Sequence, residues 1–365
     1  MFHMPLTSSE RTPQYNYADG LAVDIARFRP GQTELESQTI ILPPDELVMA
    51  VSDKRQAAYA QVDELLGQPR VERRRDGRAI EYVMLNNGTK DGDNEALEVM
   101  HLEWHTAVRD PGVRPLLAAL ALTGRRRMVV SSFGMGEASP LPKNIAKEIA
   151  RTGSFITTAE LLGLLYQPIL ADSEHVSLSG TSEGGRRAIG LAAVFSYVED
   201  LFSHDSPGTR DLRGARGMGQ ALVSLEMEHA KRYVANATDP ELVTAQRQQD
   251  SLRRFGGSVL HQLRVRNLLN LVYREPLALS RDGLLEDAKQ AVPKVMGRFV
   301  LSAPEFSAMN RPEHVEYVAK RIAAKRDAVG ESQPLIGVLE FPGTHSSGAA
   351  NMAVTARLYE LAHEI

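Results

Sequence analysis

Cysteine is absent from the 365 residues. Disulfides, thiolate metal sites and cysteine nucleophiles are therefore excluded, although the compartment is not fixed by that absence. A strong charge of either sign is also missing: 42 Lys and Arg stand against 46 Asp and Glu, for a net charge of −4. No block of like charge is long enough to form an interaction tail, so nothing points to a nucleic-acid or membrane-surface partner. No run is apolar and long enough to span a bilayer. The first eleven residues lack a basic region followed by an apolar stretch, so a cytoplasmic protein is expected. What is present is ordinary in amount. With 43% hydrophobic and 24% charged residues, the chain has enough material for one large domain carrying an insertion.

The stretch that organises the rest runs from His175 to Ala193. Residues 175–179 alternate and are β-prone, whereas Ile189, Leu191, Ala192 and Ala193 begin a helical apolar stripe. Between them stands Gly180-Thr-Ser-Glu-Gly184, a match to G-x-S-x-G. In that motif a strained strand-to-helix turn lifts the serine hydroxyl into the open. Five residues of this kind also occur by chance; the strand before and the helix after are the context the motif requires.

Along the chain, residues 1–70 read as an N-terminal extension. Their strand-like run is 39–42, and 46–66 shows the spacing of one amphipathic helix. Residues 71–211 read as the first part of an α/β core. A hairpin is expected at 71–75 and 79–85, because Asp76-Gly77 suits the turn that matches strand twist. Residues 94–124 look helix-rich, 127–131 is a strand, and Thr157-Thr-Ala-Glu160 reads as a capping box opening a helix to about 170. Strands follow at 175–179 and 198–203. From 212 to 292 long helical stretches replace the strand signals, which reads as an inserted helical cap. Residues 293–365 resume the core, with strands at 298–302 and 335–340 and helices at 312–328 and 348–362.

This order of pieces resembles the α/β-hydrolase superfamily over residues 71–365. The resemblance rests on Leu85-Asn-Asn-Gly-Thr89, placed like that family's oxyanion loop; on the glycine-rich turn Ser132-Phe-Gly-Met-Gly-Glu-Ala-Ser139; on the elbow at Ser182; on Phe341-Pro-Gly-Thr-His-Ser-Ser347, like its histidine loop; and on the position of the helical insertion. Members commonly have His-Gly in the oxyanion loop, where this chain has Asn87-Gly88. The resemblance implies a mostly parallel central sheet flanked by helices, a helical cap, a small-molecule acyl substrate and no cofactor. It leaves homo-oligomerisation open.

The chemistry can be argued from the residues too. A serine hydroxyl is a poor nucleophile unless a base takes its proton, and the base needs a third group to hold one tautomer. His345 follows a strand and comes after the serine, as the Ser, acid, His order of this fold demands. Glu305 follows a strand, at the place where the family's acid usually stands. Asp205, after the preceding strand, is the alternative, and either carboxylate could instead be a helix cap. The oxyanion donors would be the backbone N–H groups of Glu183 and of Thr89 or its neighbour.

Three other signals are weaker. His101 and His105 are spaced to share a helical face, yet the glutamate is not adjacent to the first histidine as the zinc-protease pattern needs, so no metal site is assigned. Gly134-Met-Gly136 lacks the third glycine of a dinucleotide fingerprint, Ser139 standing in its place, and Gly214-Ala-Arg-Gly-Met-Gly219 lacks a preceding strand. The expected activity is cleavage of an ester or related acyl bond through an acyl-enzyme on Ser182. The alternatives are an acyltransferase with the same triad and a non-catalytic binding protein of the same fold.

Overall fold

The computed structural model describes residues 20–30, 35–43, 53–87, 96–212, 273–329, 334–343 and 352–365, with Gly214 and Gly217, apart from single positions within those ranges (His105, Pro111, Gly112, Asp172, Glu174, Tyr197, Phe306 and Ala308). Among them, ten segments pair into one sheet: β1 (Leu21–Phe28), β2 (Glu36–Leu42), β3 (Arg70–Arg73), β4 (Ala79–Leu85), β5 (Leu97–His101), β6 (Arg127–Val130), β7 (Val176–Thr181), β8 (Val198–His204), β9 (Val295–Pro304) and β10 (Leu335–Phe341). Their order across the sheet is β2-β1-β10-β9-β8-β7-β5-β6-β4-β3. From β10 to β6 every neighbouring pair is parallel, and the flanking hairpins β1/β2 and β3/β4 join antiparallel. Central strands such as β5 and β6 are buried along their whole length, as expected where helices cover both faces of a parallel sheet.

Two apolar layers follow from this. On one face lie α1 (Asp53–Gly67), α2 (Arg114–Leu122) and α9 (Met352–Glu364), around Val62, Leu117, Leu358 and Tyr359. On the other lie α3 (Lys143–Thr152), α4 (Ile156–Leu170), α5 (Glu183–Val194), α7 (Leu284–Ala291) and α8 (Pro312–Val329), around Ile149, Leu162, Ile189, Leu284 and Ile322. The short α6 (Glu275–Leu279) packs against α3. Among the described residues no helix is long and apolar enough to cross a membrane.

Several expectations need correction. Residues 21–42 are not an extension, because β1 hydrogen-bonds to β10 and carries the sheet outward. The stretch 94–124 is not helical throughout: Leu97–His101 is the central strand β5, and the helix starts only at Arg114. Helix α4 begins at Ile156 with Phe155 as its cap residue and no side-chain cap, so Thr157 and Glu160 form no capping box. Asp287 takes the capping role from a distance by accepting from the Phe155 N–H at 2.8 Å. The end of the proposed cap is also too late. Ala278, Leu284, Ala288 and Ala291 belong to the main core, so 275–292 is part of the body, while 218–272 lies outside the described residues. The hairpin at Asp76-Gly77 forms with Gly77 at φ 82° and Arg78 N–H donating to Asp76 Oδ1 at 3.1 Å.

Candidate active site

Parallel strands aim their carboxyl ends at one edge of the sheet, and a crevice opens there where the chain reverses its direction of travel across the sheet. After β5 the chain steps out to β6, then returns to β5's other side as β7. Ser182 stands at the end of β7, at that reversal. It is 7% exposed and has φ 55° and ψ −122°. Such a backbone costs a non-glycine residue about 1–3 kcal/mol and persists only where its surroundings impose it. Here they do: Ser182 N–H donates to His204 O of β8 at 2.9 Å, and Gly185 N–H donates to Ser182 O at 3.1 Å.

Close approach explains the motif's two glycines. A methyl group on Gly180 would strike the carbonyl of Gly184, and one on Gly184 would strike the carbonyl oxygens of His101 and Leu102. The head of α5 is thus pressed between its own strand and the end of β5. Glu183 is the first residue of that helix, where a backbone N–H has no intrahelical acceptor.

The segment leaving β5 borders the elbow. Leu102 N–H donates to Val130 O at 3.2 Å, Ser132 N–H to Thr106 O at 2.8 Å and Val108 N–H to Ser131 Oγ at 2.9 Å. These bonds tie residues 102–108 to the end of β6. By contrast, the loop from Leu85 leaves the sheet at the other edge. Leu85 pairs with Arg127, the first residue of β6, because β4 runs antiparallel. Thr89 lies outside the described residues; the strand before it ends on the side away from Ser182, whereas the segment after β5 borders the elbow.

Asp205 and Glu305 both stand at the carboxyl edge, in contrasting surroundings. Asp205 is fully buried, held at φ 41°. Its carboxylate accepts from Ser307 Oγ at 2.9 Å and from Asn310 Nδ2 at 3.1 Å. Glu305 is exposed. Its N–H donates to Phe341 O at 2.9 Å. Near it, Glu340 is pushed up to about 7, first by burial and then by Asp24, Glu305, Glu313 and Glu316. His345 lies outside the described residues, and β10, the strand before it, ends at the same edge at Phe341.

Behind the elbow is a buried polar group that the sequence reading missed. Glu183 and Arg187 form an ion pair at 2.8 Å, both buried, and the Arg187 guanidinium lies 4.8 Å from the Phe133 ring centre. Trp104 Nε1–H donates to Glu275 Oε2 at 3.0 Å. Burial, and next the Glu183 carboxylate, push Glu275 up to about 8. His101, on β5, is drawn down to about 3 by burial and then by Arg187. The i, i+4 spacing of Glu183 and Arg187 was a signal available in the sequence; nothing there connected them to Glu275.

His101 ends strand β5 and so lies on no helical face, and His105 lies outside the described residues. Among the described residues no group of three or more His, Asp or Glu is arranged to hold a metal. Residues 134–139 form a turn closed by Gly134 N–H to Ser139 O at 3.0 Å. The Glu81 carboxylate accepts from Glu137 N–H at 2.9 Å within it.

No protein-family model matches the sequence, and neither does any curated protein. Solved structures do match in shape. An enol-lactonase from Burkholderia xenovorans superposes with a TM-score of 0.52 at 15% identity, over 79% of this chain and 97% of that one. An esterase from Exiguobacterium antarcticum gives 0.50 at 15% identity, over 80% and 97%. A bromoperoxidase from Bacillus anthracis gives 0.50 at 14%, over 82% and 100%. At these identities the likeness establishes the fold: the chain has the α/β-hydrolase fold.

Proposed function

From the α/β-hydrolase fold as premise, we propose that this protein is a serine hydrolase cleaving an ester or related acyl bond through an acyl-enzyme on Ser182. The observation that carries this reading is the strained Ser182 backbone, φ 55° and ψ −122°, at the point where the sheet order reverses. A strain of that kind is kept where it aims a side chain.

In this reading His345 takes the Ser182 hydroxyl proton as Oγ bonds to the acyl carbon. The tetrahedral oxyanion is met by the backbone N–H of Glu183 and one from residues 102–104. Collapse breaks the bond to the leaving group, which carries off the proton held by His345. Water then repeats the cycle and frees the acid. As the third member we put Asp205 before Glu305. A carboxylate that orients an imidazole must itself be held, and Asp205 is buried with fixed donors, whereas Glu305 is exposed among other carboxylates. The helical spacing of residues 213–272 supports a cap that sets substrate range.

The test is covalent. A fluorophosphonate should label the wild type at Ser182, and Ser182→Ala should lose both labelling and hydrolysis of p-nitrophenyl acetate while keeping its circular dichroism spectrum. A native-like wild type that neither reacts nor hydrolyses would make the protein a non-catalytic bearer of the fold; reaction without hydrolysis would direct attention to acyl transfer.

A further inference from the structure

One turn beyond Ser182, the elbow helix buries an arginine completely. Arg186 is 0% exposed, and its guanidinium lies 4.9 Å from the centre of the Phe155 ring. Nη1 donates to Pro207 O at 3.0 Å. Nη2 donates to Gly153 O and to Asp287 Oδ2, the second at 3.3 Å. Nε has no partner among the described residues. A buried ion with one donor unused is a poor source of stability, since apolar side chains of similar volume often serve as well. What the guanidinium holds in place accounts for it better.

Nη1 holds the turn that carries Asp205. Residues 205–208 leave β8 with two left-handed positions, Asp205 at φ 41° and Gly208 at φ 101°. Pro207 is buried, and a buried carbonyl needs a donor; Arg186 supplies it. The turn also lies directly against the helix. A methyl group on Gly185 would strike Ser206 Oγ, and one on Gly208 would strike Arg186 Nη1. Other fastenings of the turn include Asn310 Nδ2, which donates to Ser206 O at 2.5 Å and to Asp205 Oδ1 at 3.1 Å, and Leu284 N–H, which donates to Gly208 O at 3.2 Å. Of these three side chains, Arg186 is the one on the helix that follows Ser182.

We infer that Arg186 is a positioning residue: it fixes the 205–208 turn to the elbow helix and so sets the reach of the Asp205 carboxylate relative to Ser182. This rests on the serine-hydrolase reading with Asp205 as its acid. The forked shape of the guanidinium is what the task requires. Nη1 serves the turn while Nη2 serves Gly153 and Asp287, and the compact ammonium of a lysine cannot reproduce that fork.

Arg186→Lys keeps the charge and gives up the fork. In the full-length protein acting on p-nitrophenyl acetate, it should lower kcat roughly tenfold to a hundredfold, the scale of an ångström-level misplacement, with KM little changed. Arg186→Met, apolar and of similar length, should lower kcat at least as far while keeping a cooperative urea transition; if it does not fold, the lysine variant carries the test. The loss should vanish when its target is gone. In the Asp205→Asn background either substitution should lower the residual kcat by no more than about twofold, the error within which independent effects add. Equal losses in both backgrounds overturn the inference, as does a wild-type kcat in Arg186→Lys, or an Asp205→Asn variant that stays fully active. Amide exchange followed by NMR reads the fastening without any chemistry. The Asp205 N–H, bonded to Ser302 O at 3.2 Å, should exchange roughly tenfold faster in Arg186→Lys, with amides inside β9 at wild-type rates. An unchanged rate at Asp205 overturns the inference. A faster rate there, in a protein that in no form reacts with a fluorophosphonate or hydrolyses the ester, leaves the fastening standing and the serine-hydrolase reading wrong.

Discussion

Single side chains decide the proposed chemistry most sharply at the acid. Asp205 and Glu305 both follow strands that end at the carboxyl edge, and the sequence favoured Glu305 by its place in the family's order. The surroundings favour Asp205. Its oxygens are aimed by Ser307 and Asn310, and its backbone is pinned by Asp205 N–H to Ser302 O at 3.2 Å. Asp205→Asn should therefore lower kcat by about 10⁴ through loss of the imidazole's correct tautomer, with KM little changed. Glu305→Gln should leave kcat near the wild type. Steady-state kinetics on the two variants separates the assignments, and the opposite pattern would return the role to Glu305.

At the scale of elements, the junction of β7, α5 and β5 is where local sequence and tertiary packing agree most closely. Gly184→Ala would drive a methyl into the carbonyls of His101 and Leu102, which are backbone and cannot swing aside. A cost of about 1–3 kcal/mol is expected from such overpacking. Because the clash pushes the elbow helix from the segment that follows β5, kcat/KM should fall by roughly a hundredfold as well. Urea denaturation and ester hydrolysis measure the two losses; a stable, fully active alanine variant would mean the helix head is free to shift.

The same junction shows what was legible in the sequence. The elbow was readable because its glycines and serine answer to local geometry, and the Asp76-Gly77 hairpin because turn chemistry is local. Strand β1 was not read, although Leu21, Val23 and Ile25 alternate as buried positions, because a short alternating run declares itself only when a partner, here β10, is present. Residues 97–101 read as helix in the sequence because a central strand buried on both faces has no period of two to display. The group of Glu183, Arg187, Glu275 and Trp104 is joined across 171 residues, beyond the reach of any spacing argument.

For the molecule as a whole, the last helix is fastened to the amino edge of the sheet by buried charge, and this makes its stability depend on pH. His363 Nδ1 is 3.0 Å from Asp200 Oδ2, and its Nε2 is 3.5 Å from Glu98 Oε2. Arg127 Nε donates to Glu98 at 2.7 Å, and Arg298 Nε donates to the carbonyl of Ile365 at 3.0 Å. Burial alone would lower the pKa of His363, but the carboxylates of Asp200 and Glu98 outweigh it and hold the value up at about 9. A folded value above the unfolded one, about 6.5, means that the stabilisation is complete below the unfolded pKa and is lost as pH rises through 9. The shift corresponds to roughly 3 kcal/mol at most. For Glu98 burial acts upward, yet Arg127 and His363 hold it well below the usual carboxylate range, so its contribution is present above the unfolded pKa and is lost toward acid. Between about pH 5 and 6.5 both contributions are whole. His363→Leu should thus cost on the order of 2–3 kcal/mol in urea denaturation at pH 6 and distinctly less at pH 9.5. A destabilisation by His363→Leu that is equal at both pH values would show that the ring holds the helix by packing alone.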